Sequence, residues 1–164
     1  MTIDSQRSWA WGPYSALALW VAVLTLVVDQ AHKLWMLFGY RIQDKGRVPV
    51  APFLDLVYVK NVGISYGLIP GWLGPWVLSA FAVVVSVALY VWISKSAANR
   101  LLAVSLALVI GGAIGNAIDR IWLGGVADFF SAHAFGFYWY VFNIADVAIV
   151  AGVAGLLYDS IVRG

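Results

Sequence analysis

Long apolar stretches separated by polar segments dominate the pattern of this chain. A helix that crosses a bilayer takes about 20 mostly apolar residues, and four stretches meet that requirement, at about 13–33, 75–93, 101–118 and 138–158. We therefore predict one membrane domain that covers residues 1–164 and contains four transmembrane helices.

Two longer polar segments, at about 39–74 and 120–137, separate these helices on one side. Within the first, the run FLDLVYVKN has the β-branched and aromatic content of a strand. Four turn-forming residues follow it, namely Gly63, Gly67, Pro70 and Gly71. The predicted fold is thus an all-α membrane protein with a small β element in its first large loop.

Composition supports the membrane interpretation. The chain is 63% hydrophobic and only 11% charged, whereas soluble domains have about half apolar and about a quarter charged residues. A soluble enzyme would require all four apolar stretches to be misinterpreted. The formal net charge of +2 is too small to indicate a nucleic-acid partner.

A cleaved signal peptide is an alternative for the N-terminus, but no small-x-small cleavage site follows the first apolar run.

Residue usage narrows the possible chemistry. The chain has no cysteine, so thiolate catalysis and disulfides are excluded. His32 and His133 lie far apart and lack the H-E-x-x-H spacing of a zinc peptidase. All eight acidic residues are aspartates, which makes each aspartate outside a polar tail a candidate functional group.

Polar residues at membrane depth all fall on one side. Four alternating helices place both termini and the loop 94–100 on one side and the two large loops on the other. Counting Lys and Arg leaves the direction of insertion open. The side with the large loops holds a group of acidic, basic and amide side chains, and we predict a site there from Asp29, Lys33, Asn61, Asn116, Asp119, Arg120, Asp128, Asn143 and Asp146.

Structural explanations exist for part of this set. Asp29 and Lys33 have the i, i+4 spacing of a helix ion pair, so they are assigned to structure or to shaping the site. The glycines of GGAIGNAIDR are explained by close helix packing. Packing does not explain Asn116, Asp119 and Arg120, which are costly at a membrane boundary unless they are paired.

Asp146 has two possible interpretations. Asn143, three residues earlier, could form a capping box with it at a helix start. Alternatively, the aromatic run 135–142 indicates that the fourth span enters the apolar region at or before Asn143, which would make both polar residues intramembrane groups with a functional role. Asp128 lies between apolar residues in GGVADFF, so its loop is expected to pack at the membrane.

Two aspartates brought together beside lipid can catalyse hydrolysis. Repulsion at low dielectric keeps one carboxyl protonated while the other is ionised. The ionised group can accept a proton from water, and the neutral group can donate one to a carbonyl. Asp128 and Asp146 are the predicted pair, although spacing alone does not exclude Asp119 as a partner.

Four stretches of the chain resemble the signature blocks of bacterial lipoprotein signal peptidases, the signal peptidase II family. In chain order they are VVDQAHK, KNVGISYGL, GGAIGNAIDRIWLGGVADFF and FNIADVAI. The third and fourth blocks are the specific ones. The resemblance extends from the first predicted span to the last.

The resemblance implies a multi-pass aspartyl endopeptidase of the bacterial inner membrane, with both termini cytoplasmic and the active site towards the periplasm. It implies a lipid-modified prolipoprotein as substrate, cut just before the Cys that carries a diacylglyceryl group. Membrane lipid is the other expected partner, and the expected protein is a monomer without metal or cofactor that the antibiotic globomycin inhibits. The β element would be the family's β-cradle.

By the same resemblance, Asp128 and Asp146 are the catalytic dyad. Substrate-binding or dyad-orienting roles fall to Asn61, Gly63, Asn116, Arg120 and Asn143, and supporting roles to Asp29, Lys33 and Asp119. The chain departs from the family pattern at His32, where Ser or Thr is usual, and at 64–66, where Ala and Phe are common. These departures bear on loop shape and substrate fit.

A function of a different class is also possible. A small transporter or lipid-binding membrane protein could use its buried aspartates to relay protons. Cleavage of a lipidated prolipoprotein separates the two functions.

Overall fold

The computed structural model describes residues 10–63, 73–96 and 99–163. Four helices within these residues are long and apolar enough to cross a membrane. They are α1 (Ser15–Leu34), which continues as a π-helical turn (Trp35–Gly39), α2 (Gly74–Ser96), α3 (Arg100–Leu123) and α4 (Ile144–Arg163). The prediction of a mostly helical membrane fold is confirmed.

Helix α3 is the centre of the bundle. It packs against α1, α2 and α4, and half of its most apolar segment is buried, against 17–22% in the other three helices. Small residues allow this contact, because a Cβ atom on Gly111 would lie 2.6 Å from the carbonyl oxygen of Ala22, and one on Gly112 would lie 2.5 Å from that of Ala145. The predicted packing role of these glycines is confirmed.

The ends of α3 are set by local signals. Asn99 precedes the helix, and its side-chain oxygen accepts a hydrogen bond from the backbone N–H of Leu102 at 2.9 Å. Gly124 ends the helix in the left-handed conformation, with φ of 73°. The helix is five residues longer at its C-terminal end than the predicted span 101–118, so Asn116, Asp119 and Arg120 lie within its last two turns.

A four-stranded antiparallel sheet covers the end of the bundle where α1 and α3 finish. Its strands are β1 (Val48–Ala51), β2 (Leu54–Asn61), β3 (Val126–Ala134) and β4 (Phe137–Phe142), in the spatial order β1-β2-β3-β4. Strand β2 confirms the strand predicted at FLDLVYVKN. The predicted β element is therefore present, but half of its strands come from the segment after α3.

The predicted start of the fourth span is wrong. Residues 138–142 form most of β4, and α4 begins only at Ile144. The run FYWYVF is rich in aromatic and β-branched residues, which favour a pleated surface, and hydrophobicity alone does not separate such a run from a helix end. The turn of Phe135 and Gly136, with φ of 51° and 81°, folds this run back on β3.

Turn predictions in the first loop are only partly within the described residues. Gly63 has φ of 76°, which agrees with its assignment to a turn. Gly67, Pro70, Gly71 and the departures from the family pattern at 64–66 lie outside the described residues.

Apolar and polar contacts hold the sheet in place. Phe129 and Ala127 of β3 are fully buried against Met36, Leu37 and Ile42, which follow α1. At the far end of the sheet, Arg47 donates a hydrogen bond to the buried carboxylate of Asp55 at 2.6 Å and lies 4.8 Å from the ring of Tyr138. The Arg47 guanidinium lowers the pKa of Asp55 below its ordinary value. The sheet therefore forms one unit with the end of the bundle.

Candidate active site

Asp128 lies in β3, two residues after the strand begins, and is 2% exposed. One carboxylate oxygen accepts a hydrogen bond from Asn143 Nδ2 at 2.7 Å, and the other accepts one from Asn61 Nδ2 at 3.2 Å. Burial, and then the negative charge of Asp146, raise the pKa of Asp128 to about 6, although these amide contacts and Lys33 act in the opposite direction. Asp128 therefore retains its proton to a higher pH than an ordinary aspartate.

Asp146 lies in the first turn of α4 and forms a reciprocal capping box with Asn143. The Asp146 N–H donates to Asn143 Oδ1 at 3.0 Å, and the Asn143 N–H donates to Asp146 Oδ2 at 3.1 Å. The capping interpretation of this spacing is thus confirmed, and the helix of the fourth span begins after Asn143, at Ile144. The cap fixes the side chain of Asp146 at the helix start, beside Asp128.

Two asparagines join the carboxylates of Asp128 and Asp146, hereafter the dyad. Asn143 Nδ2 donates to Asp128 Oδ1 at 2.7 Å and to Asn116 Oδ1 at 3.1 Å. Asn116 Nδ2 donates in turn to Asp146 Oδ1 at 2.8 Å. Every dyad oxygen therefore accepts one hydrogen bond from a fixed amide, which aligns two acids carried by different elements.

A buried group of charges, the ion cluster of Asp29, Lys33 and Asp119, lies against the dyad. Lys33 Nζ lies 2.8 Å from Asp29 Oδ2 and 2.8 Å from Asp119 Oδ2, and all three side chains are at most 3% exposed. Lys33 also donates to Asn116 Oδ1 at 3.1 Å. The predicted i, i+4 ion pair is present, and α3 supplies a second carboxylate to it.

The ion cluster also holds the backbone next to each dyad residue. Asp119 Oδ2 accepts a hydrogen bond from the N–H of Ala127 at 3.0 Å, one residue before Asp128. Asp29 Oδ1 accepts one from the N–H of Ala145 at 2.9 Å, one residue before Asp146. Lys33 thus pairs with two carboxylates, one of which holds the strand of Asp128 and the other the helix of Asp146.

Gln30 is a member of this site that the sequence prediction missed. Its amide nitrogen donates to Asp29 Oδ2 at 3.2 Å, Asp119 Oδ1 at 3.0 Å and the carbonyl oxygen of Gly115 at 3.2 Å. The available signal was an amide at membrane depth beside Asp29. Gln30 links α1 to α3 within the ion cluster.

Arg120, Asn61 and Gly63 lie on the open side of the dyad. Arg120 Nη1 donates to the carbonyl oxygen of Asn116 at 3.2 Å, while its buried Nε has no hydrogen-bond partner among the described residues. Asn61 Oδ1 accepts the N–H of Gly63 at 3.0 Å, and a Cβ on Gly63 would lie 3.8 Å from Arg120 Nε and 3.0 Å from Leu78 Cδ1. A side chain at position 63 would therefore press against Leu78 and lie beside the Arg120 guanidinium.

Comparison with known families shows which family the chain belongs to. The model of a family described as signal peptidase (SPase) II matches residues 21–162, which include both dyad residues. The chain belongs to the signal peptidase II family.

Curated relatives in this family match most of the chain. A protein of Rhodopseudomonas palustris named lipoprotein signal peptidase is 50% identical over 152 residues, covering 89% of this chain and 92% of its own length. One of Methylorubrum extorquens with the same name is 51% identical over 139 residues, covering 84% of this chain and 81% of its own. The resemblance found in the four sequence blocks thus extends across the chain.

Solved structures have the same fold. Two structures described as bacterial membrane enzymes superpose with TM-scores of 0.81 and 0.74, at 27% and 29% sequence identity. The first covers 94% of this chain and 99% of its own, and the second 91% and 92%. The architecture is therefore that of a multi-pass membrane enzyme.

The structure brings the predicted site residues of this signal peptidase II family member into one region. Direct hydrogen bonds connect Asp128 and Asp146 with Asn61, Asn116 and Asn143. Asp119, which spacing had left open as a dyad partner, instead binds the backbone N–H of Ala127 and the ammonium of Lys33. Arg120 donates to the carbonyl oxygen of Asn116, the residue whose side chain binds Asp146.

Proposed function

We propose that the protein is an intramembrane aspartyl endopeptidase that removes the signal peptide from diacylglyceryl-modified prolipoproteins, cutting just before the lipidated Cys. Family membership supports a hydrolase that acts on lipoprotein precursors. The main structural support is the pair of carboxylates, Asp128 and Asp146, joined through Asn143 and Asn116.

The proposed reaction uses one proton shared by the dyad. The ionised aspartate accepts a proton from water as the water oxygen attacks the scissile carbonyl carbon, and the protonated aspartate donates to the carbonyl oxygen. The resulting diol collapses as the aspartate that accepted the water proton donates it to the nitrogen of the leaving peptide. The C–N bond breaks, and one diol hydroxyl returns its proton to the other aspartate. The raised pKa of Asp128, about 6, supports a site that keeps one proton between two acids.

Neighbouring groups fit the binding of a peptide with an apolar flank. The buried Arg120 Nε has no partner among the described residues, so it is an unused donor for a peptide carbonyl of the substrate. An open apolar groove of about 380 Å³ runs along α4 from Phe142 and Asp146 to Ala154. An apolar chain lying in this groove would bring its polar end to the dyad.

The same proposal includes location and partners. We place the protein in the bacterial cytoplasmic membrane with both termini cytoplasmic, and with the sheet and dyad towards the periplasm. Four apolar helices support termini on one side of the membrane and the sheet and dyad on the other, while the direction follows the family resemblance. The partners are the prolipoprotein and membrane lipid, and the protein is proposed to act as a monomer without metal or cofactor.

A cleavage assay tests the dyad. Purified protein in lipid nanodiscs is incubated with a diacylglyceryl-modified prolipoprotein, and the released signal peptide is measured. Asp128→Asn and Asp146→Asn each remove an acid needed for proton transfer, so each should lower kcat by about 10²- to 10⁴-fold. Asp44→Asn is the matched control, because the Asp44 side chain is 57% exposed and pairs with the exposed Arg41 away from the dyad; its rate should equal that of the wild type.

Three further outcomes separate the alternatives. Globomycin should abolish cleavage by the wild type. Normal rates in both dyad variants would show that the catalytic assignment is wrong. A wild-type protein that leaves the substrate intact but moves protons across the nanodisc or a vesicle membrane would instead support the transporter, which family membership does not favour.

A further inference from the structure

His32 on α1 packs against the two residues that follow Asp128 in β3. Its imidazole stacks on the ring of Phe130, with centroids 5.1 Å apart and planes 18° apart. It also meets Phe129 edge-on, with centroids 5.6 Å apart and an angle of 84°. A single side chain on α1 therefore contacts both rings next to the proposed catalytic acid.

These contacts occur where the sheet restrains β3 least. Val57 and Tyr58 of β2 both lie opposite Phe129, because the pairing shifts between Leu56 with Phe130 and Val59 with Asp128. On the other side, the pairing of β3 with β4 ends at Phe130 and Phe142. The backbone between Asp128 and Phe130 therefore lacks a regular set of hydrogen bonds to both neighbouring strands.

His32 contacts β3 by ring stacking and not by a hydrogen bond from Nδ1. Its Nδ1 is buried and has no hydrogen-bond partner among the described residues. Stacked and edge-to-face rings stabilise a geometry beyond simple burial of area.

We infer that His32 is a positioning residue for the dyad, which acts through Phe130 and Phe129 to hold the Asp128 carboxylate against Asn143 and Asn61. The inference rests on the proposed function. A shift of about 1 Å at a reacting group can lower a rate about 100-fold. Loss of the ring contacts should displace Asp128 from the 2.7 Å bond with Asn143, while the groups that bind substrate stay in place.

The test compares His32→Ala with His32→Phe in the cleavage assay. His32→Ala should lower kcat between about 10- and 100-fold with KM within twofold of the wild type, and the rate is expressed per folded protein from the melting curve. His32→Phe keeps the stacking ring and should restore kcat to within about threefold. A normal kcat in His32→Ala, or no rescue by His32→Phe, would overturn the inference.

Phe38→Ala is the matched control. Phe38 follows α1 and also takes part in a ring pair, 5.9 Å from Trp122, but it is 63% exposed and does not contact β3 rings. Its kcat should be unchanged. If Phe38→Ala lowers kcat as much as His32→Ala, the effect is general helix damage and the inference fails.

A double variant tests the path through Phe130. If His32 acts by stacking on Phe130, His32→Ala combined with Phe130→Leu should lower kcat no more than the stronger single variant; a multiplicative loss would contradict this path. The Asp128→Asn assay keeps the two proposals apart. An inactive Asp128→Asn with a normal His32→Ala refutes only the positioning role, whereas an active Asp128→Asn refutes the proposed function.

Discussion

At the scale of single residues, the two dyad acids have different surroundings. Asp128 is 2% exposed and, within the described part of the chain, its oxygens accept hydrogen bonds from side-chain amides alone. Asp146 is half-buried and is held by a capping box at a helix start. Burial disfavours the charged form of Asp128. Burial, together with the negative charge of Asp146, raises the pKa of Asp128 to about 6.

Replacing Asn61 by Ala should change the pH dependence of cleavage. The Asn61 hydrogen bond lowers the pKa of Asp128, since it stabilises the carboxylate. Its loss raises that pKa, so the dyad keeps its shared proton to higher pH. The alkaline limb of log kcat/KM should therefore move to higher pH.

The control for this prediction is Val62→Ala. Val62 is the next residue and is 53% exposed, so the limb should stay in place. Profiles are measured in the same nanodiscs. A limb that stays fixed or moves to lower pH in Asn61→Ala would contradict the assigned role of this hydrogen bond.

Lys33→Met should strongly destabilise the protein. The substitution leaves the carboxylates of Asp29 and Asp119, both at most 1% exposed, without their cation. Removing one partner of a buried ion group costs roughly 3–5 kcal/mol. We expect a lower yield of folded protein and a lower Tm, measured by thermal unfolding in detergent.

A second substitution provides the control for this charge argument. Adding Asp119→Asn to Lys33→Met removes one of the two unpaired negative charges and should recover part of the loss in Tm. An unchanged Tm in Lys33→Met would show that the ion cluster does not stabilise the bundle.

Residue spacing predicted some of these contacts and not others. The i, i+3 spacing of Asn143 and Asp146 and the i, i+4 spacing of Asp29 and Lys33 are local, and both contacts are present. The contact of Lys33 with Asp119 joins α1 to α3 and has no local signature. Such contacts depend on how the helices pack, which spacing alone does not encode.

At the scale of elements, α3 is the support for the site. It supplies Asn116 and Asp119, and its glycines allow α1 and α4 to approach. The start of α4 lies against Gly112 of α3, so the distance between these helices also sets the position of Asp146.

Gly112→Ala should therefore lower both stability and activity. The added Cβ would lie 2.5 Å from the carbonyl oxygen of Ala145 and 2.8 Å from Ile149 Cγ1, so α4 has to move outward and Asp146 moves with it. Overpacking typically costs about 1–3 kcal/mol. We expect a lower Tm and a kcat reduced about tenfold or more.

Ile118→Val is the control on the same helix. Ile118 is 36% exposed on the bundle surface, so Tm and kcat should both stay close to wild type. If Gly112→Ala has the activity and Tm of the wild type, close packing at this position does not set the dyad geometry.

The prediction of secondary structure failed at residues 137–142, because their composition suits both a helix end and a strand. The run 137–142 is apolar enough for a helix end, but it pairs with β3. Its partner strand lies in the preceding loop, and the pairing depends on the turn at Phe135 and Gly136. Hydrophobicity measures burial or lipid contact, so it does not distinguish a strand from the end of a membrane helix.

At the scale of the whole molecule, the proposed topology can be tested because the chain has no cysteine. Single cysteines can be introduced as Gln43→Cys near the sheet and Ser96→Cys at the end of α2, both at exposed positions. Four spans place these sites on opposite sides of the membrane. In intact cells with a permeabilised outer membrane, a membrane-impermeant maleimide should label position 43 and not position 96.

Lysed membranes provide the control for this labelling. Both variants should react there, which shows that each cysteine is accessible. Labelling of position 96 but not of position 43 in intact cells would reverse the proposed orientation, and equal labelling of both would contradict the four-span topology.

The sequence by itself determined the membrane class, the number of spans and one strand, and it pointed to most of the candidate site residues. Hydrophobic length, local spacing and the four signature blocks are all properties of the linear chain. The tertiary structure decided which carboxylates meet, the second half of the sheet and the contacts of Gln30 and His32. These features depend on residues brought together from distant segments, because side-chain hydrogen bonds, ion pairs and ring stacking act only over a few ångströms in space.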